Sequence, residues 1–268
     1  MTQGFVVLAQ NTKKIDYVKC AEVLALSIKN VMPNALISIV TNDHTNLALW
    51  DEIIPLPYGD LAPDSEWKLI NDWQVYDASP YDYTIKLEAD IYVPRSIEFW
   101  WDVLKQREVV VSTTIRDFKQ EVSDCRVYRR FIDDNLLPDC YNAITYFKKG
   151  ELAKKFFNIV SDVFTNWDQY RAVLKCSSAE EVTTDWAYAI ACHILKVENT
   201  TMPNFTEMSM VHMKQHVNGL PTSDWTDTLV YEILPHTLRI NTCPQKYPFH
   251  YQKKNFANKI INGLYDGK

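Results

Sequence analysis

Glycine is scarce in this chain, with only 6 among 268 residues, at positions 4, 59, 150, 219, 263 and 267. That spacing excludes the G-x-G-x-x-G dinucleotide fingerprint and the Walker loop, so any bound phosphate has to be held by other means. There is no G-x-S-x-G elbow, which excludes a serine hydrolase of the common α/β type. The 6 cysteines, at positions 20, 125, 140, 176, 192 and 243, include no C-x-x-C pair. Neither a zinc site nor a disulfide framework is indicated, and buried thiols are expected. The run His212-Met213-Lys214-Gln215-His216 has Met where a zinc protease needs its catalytic Glu. No stretch approaches the roughly 18 apolar residues of a membrane span. Met1-Thr2-Gln3-Gly4 carries no cationic leader, so a cytoplasmic protein is expected.

Positive charge is also in short supply. Lys and Arg number 28 against 34 Asp and Glu, a net charge of -6, which argues against a surface built as a whole to grip nucleic acid. Lys105 to Arg130 reverses the balance locally, with seven basic residues (Lys105, Arg107, Arg116, Lys119, Arg126, Arg129, Arg130) against four acidic ones. A solvated mixed-charge face and a phosphate-facing patch are both open readings of it.

What is present fits a globular α/β protein. Hydrophobic residues make up 47% and charged residues 23%, and no repeat, low-complexity tract or linker interrupts the chain, so one domain is expected. Phe5 to Leu8 reads as a strand, Tyr17 to Ile28 as a helix closed by Pro33-Asn34, Ala35 to Thr41 as a second strand and Ile53 to Leu56 as a third. Trp67, Ile70, Trp73 and Tyr76 share one helical face, and Tyr83 to Leu87 returns as a strand. Further strands are expected at Glu108 to Thr113 and Tyr141 to Phe147, and helices at Glu151 to Trp167, Ala179 to Leu195 and Asn255 to Ile261. The tail from Val211 onward otherwise reads as loop.

The fourth strand delivers Glu88-Ala89-Asp90. In extended chain, residues i and i+2 point the same way, so the two carboxylates can converge with Ala89 turned aside. Two hard oxygen donors suit Mg²⁺ or Mn²⁺ bridged to a phosphate. With 34 acids among 268 residues, about four acid-x-acid pairs arise by chance, so context has to carry the reading.

That context is Trp67-Lys68-Leu69-Ile70-Asn71-Asp72-Trp73 followed by Tyr83 to Leu87 and Glu88-Ala89-Asp90-Ile91-Tyr92-Val93. It resembles the glycogenin-like branch of GT-A glycosyltransferases, in which a T-K-x-x-x-W helix precedes a strand ending in D-A-D-T-L-V. Lys68 falls on the lysine of that family that approaches the donor, and Glu88 and Asp90 fall on its metal-binding acids, with Glu in place of the first Asp. Ala9-Gln10-Asn11 resembles the first nucleotide-contacting loop, Tyr17 lies on its Tyr-bearing helix, and Asn42-Asp43 ends the second strand where base and ribose contacts occur. Tyr141-Asn142-Ala143-Ile144 resembles F-N-[SA]-G, and Thr184-Asp185-Trp186 resembles the D-Q-G segment with Trp186 in place of Gln. Val211-His212 resembles the late V-H-F segment, which would make His212 the third metal ligand and Lys214 a diphosphate contact. On residue type alone, Lys68 also reads as a surface lysine, Asn142 as a turn cap, Tyr17 as core and His212 as a satisfied polar histidine.

The resemblance implies a GT-A (Rossmann-like) fold, a central mixed, mostly parallel sheet flanked by helices. Residues 1–93 would be the nucleotide-binding half, 94–220 the sugar and acceptor half, and 221–268 a C-terminal extension. It implies transfer from a UDP-sugar to an acceptor hydroxyl with retention, aided by Mn²⁺ or Mg²⁺. Nucleotide contacts would come from Ala9, Gln10, Asn11, Tyr17, Asp43, Lys68, Ala89 and Lys214, with Asp185, Asn142 and Lys68 at the reacting centre. A non-catalytic nucleotide-sugar or carbohydrate binder of the same fold is the alternative. Gly4 to Asn11 and Tyr247 to Gln252 also resemble glycosyltransferase-like proteins of tailed bacteriophages. That would place the protein in a host cytoplasm with a hydroxymethylated DNA base as one acceptor, its phosphates facing Lys105 to Arg130.

Overall fold

The computed structural model describes residues 1–127, 129–175, 181–234 and 237–265. Its strands are β1 (Gln3–Leu8), β2 (Ile37–Val40), β3 (Glu52–Ile54), β4 (Tyr83–Glu88), β5 (Ile91–Tyr92), β6 (Val109–Ser112), β7 (Thr114–Arg116), β8 (Tyr141–Lys148), β9 (Ser209–His212), β10 (Tyr231–Leu234), β11 (Thr237–Ile240), β12 (Cys243–Pro244) and β13 (Phe249–His250). The helices are α1 (Tyr17–Val31), α2 (Val75–Ala78), α3 (Trp100–Leu104), α4 (Arg130–Asp134), α5 (Glu151–Thr165), α6 (Trp167–Val173), α7 (Thr184–Ile194), α8 (Val197–Thr200) and α9 (Phe256–Tyr265). No helix among the described residues is long and apolar enough to cross a membrane.

The main sheet runs β3-β2-β1-β4-β8-β6. β1 pairs in parallel with β2 and β4, and β2 with β3, while β8 is antiparallel to both β4 and β6. Both faces of this sheet are covered, which explains the unbroken apolar runs of its strands. Phe5, Val7, Ile39, Ile85 and Tyr146 point into one core with α1; Val6, Val40, Val109, Val111 and Phe147 point into the other, with α5 and α7. Gly4 lies tight under Tyr81, where a Cβ would stand 2.4 Å from the ring.

α1 begins as its sequence demands, with the Asp16 carboxylate accepting from the Lys19 N–H as an N-cap. The expected helix at residues 65–76 forms differently. A 3-10 turn (Leu69–Gln74) leads into α2, and Trp67 lies outside it, 64% exposed. The polar residues Asn71, Asp72 and Gln74 are buried there, and side chains that bond to neighbouring loops compete with regular helix. Asn71 holds Asp60 and Gln10, and Gln74 holds the Gly59 carbonyl. The expected Glu151 to Trp167 helix ends earlier, at Thr165, and Trp167 starts α6. α7 starts at Thr184 behind the Thr183 N-cap, and the expected start at Ala179 lies outside the described residues, as does Cys176. Cys20, Cys140 and Cys192 are buried as expected, whereas Cys125 and Cys243 are half-buried.

The tail departs most from expectation. β10, β11 and β12 form an antiparallel sheet, and β13 joins a second four-stranded sheet in the order β5-β13-β9-β7. Trp225, Leu238, Ile240, Phe249, Tyr251, Phe256 and Ile260 belong to the same hydrophobic cluster as α1. The Trp225 indole N–H donates to the Tyr251 carbonyl at 2.8 Å, so its polar edge is satisfied within that core.

Candidate active site

Because β1 and β4 are parallel and in register from Gln3 opposite Tyr83 to Leu8 opposite Glu88, their C-terminal ends stand side by side. Such an edge is where open α/β sheets place ligands. A cavity of about 520 Å³ opens there, lined by Ala9, Gln10, Tyr17, Lys68, Glu88, Ala89, Asp90, Asn142, Asp185, His212 and Lys214 among others. Nine of the expected site residues therefore meet with the two acids at one place.

The two acids converge as expected, but through a turn and not by strand alternation: β4 ends at Glu88, Ala89 and Asp90 form the turn into β5, and Ala89 lines the cavity with them. The small second sheet supplies their partner. β13 pairs antiparallel to β5, which follows Asp90, and parallel to β9, which ends in His212. His250 is thereby carried against both acids: its Nε2 lies 2.9 Å from Asp90 Oδ2 and 3.4 Å from Glu88 Oε2. Glu88, Asp90 and His250 place one ligand atom each within 4.8 Å of one another. His212 stands behind this group rather than in it. Its Nδ1 is 3.1 Å from His250 Nδ1, so the two rings share one hydrogen. Sequence reasoning named the nearer histidine in the motif and missed His250, which lay in the tail assigned to no role. The signal was Tyr247-Pro248-Phe249-His250-Tyr251, a short apolar run with a histidine at its end.

The charges here are strongly coupled. Burial raises the Glu88 carboxyl above its usual range, against the pull of the His250 and Lys86 charges. Burial also opposes the Asp90 charge, but the charges of His250 and Lys254 outweigh it and hold that carboxyl well below the usual range. Lys254 forms an ion pair with Asp90 Oδ2 and lies 5.5 Å from the centre of the Tyr17 ring. The His212 ring is pushed well below its usual value, first by burial and then by the His250 and Lys214 charges, so it is neutral. Burial likewise lowers the Lys214 ammonium.

Asn142 and Asp185 meet beneath the cavity. Asp185 Oδ1 accepts from the Asn142 N–H at 3.0 Å, and Asp185 Oδ2 accepts from Arg129 Nη1 at 2.8 Å. In the amide orientation that satisfies its neighbours, the Asn142 nitrogen donates to Glu88 Oε1 at 3.3 Å and Asp185 Oδ1 at 2.9 Å, while its oxygen accepts from Lys86 Nζ at 3.1 Å. One amide thus ties Glu88 to Asp185. Trp186, in place of Gln, stacks on Phe131 with ring centres 4.1 Å apart.

Lys86, Asp72 and Tyr188 form a layer below that the sequence did not reveal. Lys86 is 1% exposed and paired with Asp72 Oδ1 at 2.7 Å, and the Tyr188 hydroxyl donates to Asp72 Oδ2 at 2.5 Å. A lysine inside an otherwise apolar strand was the available clue.

Three expected contacts find other partners. The Lys68 ammonium donates to Asp60 Oδ2 at 2.7 Å, the Ala62 carbonyl at 2.5 Å and the Pro63 carbonyl at 3.0 Å, so it fastens the 60–63 loop at the cavity rim. Asn11 and Asp43 are joined by a 2.8 Å bond from the Asn11 N–H to Asp43 Oδ2 and do not line the cavity. Within the basic segment, Arg116 and Arg129 turn inward, whereas Lys105, Arg107, Lys119, Arg126 and Arg130 are exposed. Arg126 pairs with Asp133 and Asp139, Arg129 is 2% exposed between Asp139 and Asp185, and Arg130 pairs with Asp134 at 3.2 Å. Arg116 bonds Ser209 Oγ at 2.9 Å and covers the Tyr247 ring.

No family model and no curated protein matches the sequence. Among solved structures, an active-site mutant of LgtC matches over 98% of this chain and 96% of its own, at 12% identity with a TM-score of 0.54. Galactosyltransferase LgtC with donor and acceptor sugar analogues matches over 74% and 72%, at 14% identity and 0.48. Mouse xyloside xylosyltransferase 1 matches over 75% and 84%, at 9% identity and 0.48. The match that spans both chains shows that this chain has the GT-A glycosyltransferase fold.

Proposed function

We propose that the protein transfers a sugar from a nucleoside diphosphate sugar to an acceptor hydroxyl, using a divalent cation, Mn²⁺ or Mg²⁺, held by Glu88, Asp90 and His250. The observation that carries this reading is the convergence of two carboxylates and an imidazole in the cavity at the C-terminal edge of a GT-A sheet. Two hard oxygens and one imidazole nitrogen suit such an ion and leave positions for phosphate oxygens. The likeness of residues 67–93 to glycogenin-like enzymes is the ground for naming a UDP-sugar and retention of configuration.

A bound divalent ion supplies Lewis-acid charge to the departing diphosphate. The residues of the chain do the rest. Gln10 and Ala9, which follow β1, and Tyr17 on α1 line the cavity and would contact the nucleotide. Asp185, fixed by Arg129 and by the Asn142 N–H, orients the sugar and acceptor hydroxyls. Lys214 adds positive charge at the cavity wall where negative charge develops. His212 fixes the ring of His250 through the Nδ1 contact, a positioning role of the kind outer partners of metal ligands play. Lys68 holds the rim loop rather than the diphosphate.

Donor hydrolysis tests the reading. The protein is expected to release UDP slowly from a UDP-sugar in the presence of Mn²⁺, and Glu88→Ala, Asp90→Ala and His250→Ala are each expected to abolish this. Nucleotide binding without metal dependence or turnover would favour a non-catalytic binder instead.

A further inference from the structure

Asp90 Oδ2 already has two claimants. The imidazole of His250 is 2.9 Å away, and Lys254 is paired with the same atom. We propose that Lys254 is a tethered cation that occupies the ion-facing oxygen of Asp90 and is displaced from it when a divalent ion binds; this rests on the reading of Glu88, Asp90 and His250 as a cation site.

A carboxylate only 5% exposed is stable as an anion when paired, and here the pairing comes from the chain itself. Lys254 belongs to the stretch between β13 and α9, so the cation is carried by the tail. A divalent ion coordinated by the same oxygen would stand closer to the ammonium than two like charges tolerate. Lys254 has room to leave. Its side chain is 23% exposed and lines the same cavity as the acids. Gln252, two residues before it, has a φ of +61°, so the loop enters α9 through a turn rather than a rigid strand. The neighbouring Lys253 is engaged separately, in an ion pair with Asp224.

The pairing also shields the amine. Held against a carboxylate only 5% exposed, it gives up part of its access to solvent, and release from Asp90 restores that access.

The test uses the wild-type chain and the metal alone. Lysines are acetylated with an amine-reactive ester with and without saturating Mg²⁺, and the modification of each is read by mass spectrometry. Lys254 labelling is expected to rise severalfold with Mg²⁺, because an amine freed from its pairing with a buried carboxylate is more open to the reagent. Lys253 serves as the internal control and is expected to stay constant. Mn²⁺ affinity, read by electron paramagnetic resonance, is expected to be roughly tenfold tighter in Lys254→Met, in which a competing charge has been removed. If Mn²⁺ binds the wild type while Mg²⁺ leaves Lys254 labelling unchanged, ammonium and ion coexist and the proposal is overturned, with the cation site intact. A folded Lys254→Met chain with equal or weaker affinity overturns it as well. If neither chain binds Mn²⁺, the cation reading itself fails and takes the proposal with it. Should Lys254→Met fail to fold, the wild-type labelling decides alone.

Discussion

Residues 1–93 and residues 209–265 face each other across the same cavity, yet the sequence speaks for them very differently. The first region announces itself. Its strands are short apolar runs, its helix has an Asp cap and a hydrophobic stripe, and its acidic pair ends a strand, all local patterns with fixed periods. The second region forms strands of two to four residues whose pairing partners lie far away: Phe249 opposite both Tyr92 and Val211, His250 opposite Ile91 and His212. Strands that short carry no period. What holds them is non-local, namely the Trp225, Tyr251 and Phe256 core shared with α1. A region can therefore look like loop and still supply a site residue.

Several measurements could break or sharpen this contrast. The largest expected effect is at the pair in the first region: Asp90→Ala should lower the slow Mn²⁺-dependent donor hydrolysis on the order of 10³-fold, to below detection, because the ion that meets the developing charge loses a ligand. A fall of less than tenfold would remove Asp90 from the centre of the mechanism. In the tail, Trp225→Ala empties a fully buried site, and a loss of about 3–5 kcal/mol is expected in denaturant unfolding. A loss below 1 kcal/mol would mean the tail is an appendage rather than core. Between the two histidines, His250→Ala should abolish detectable Mn²⁺ binding, whereas His212→Ala should weaken it about 10- to 100-fold, the range for an outer partner. The reverse order would return His212 to the ligand set and leave the sequence reading correct.

Smaller effects follow. A Cβ at position 263 would stand 2.7 Å from Ile233 Cβ, so Gly263→Ala should cost about 1–3 kcal/mol by overpacking α9 on β10. An unchanged Tm would show that this edge yields freely. Smallest is Asp60→Asn at the cavity rim. Burial opposes the Asp60 charge, but the bonds from Lys68, Ala62 and Asn71 hold its carboxyl below the usual value. A lowered folded-state carboxyl contributes stability above the unfolded value of about 4 and loses it as pH falls below that. The variant should thus be slightly less stable than wild type near neutrality and indistinguishable from it in acid, which pH-dependent unfolding would reveal. A difference that persists in acid would assign the effect to packing.

Much of the site was legible because its residues sit at the ends of recognisable strands. Glu88, Asp90, Ala9 and Gln10 fall where β4 and β1 stop, and Asn142 and Asp185 fall at the starts of β8 and α7. What could not be read was the partner of each polar group. Lys68 matches a donor-facing lysine in position, yet three acceptors in the 60–63 loop capture its ammonium. Asn11 and Asp43 close on each other, and Arg129 turns inward to Asp185. Charge counting along Lys105 to Arg130 registered Arg126 and Arg129 but not the acids that pair with them, since Asp139 and Asp185 lie outside that stretch of sequence.

By itself, the sequence determined the alternation that buries both faces of the main sheet, the capped helix behind it and the two carboxylates delivered at its edge, because these depend on neighbours a few residues apart. The tertiary structure decided which histidine meets those carboxylates and that Lys254 shares them. Those contacts join Asp90 to residues 160 and 164 positions away. They exist only because a buried tail brings β13 between β5 and β9, a choice made by packing and not by any local pattern.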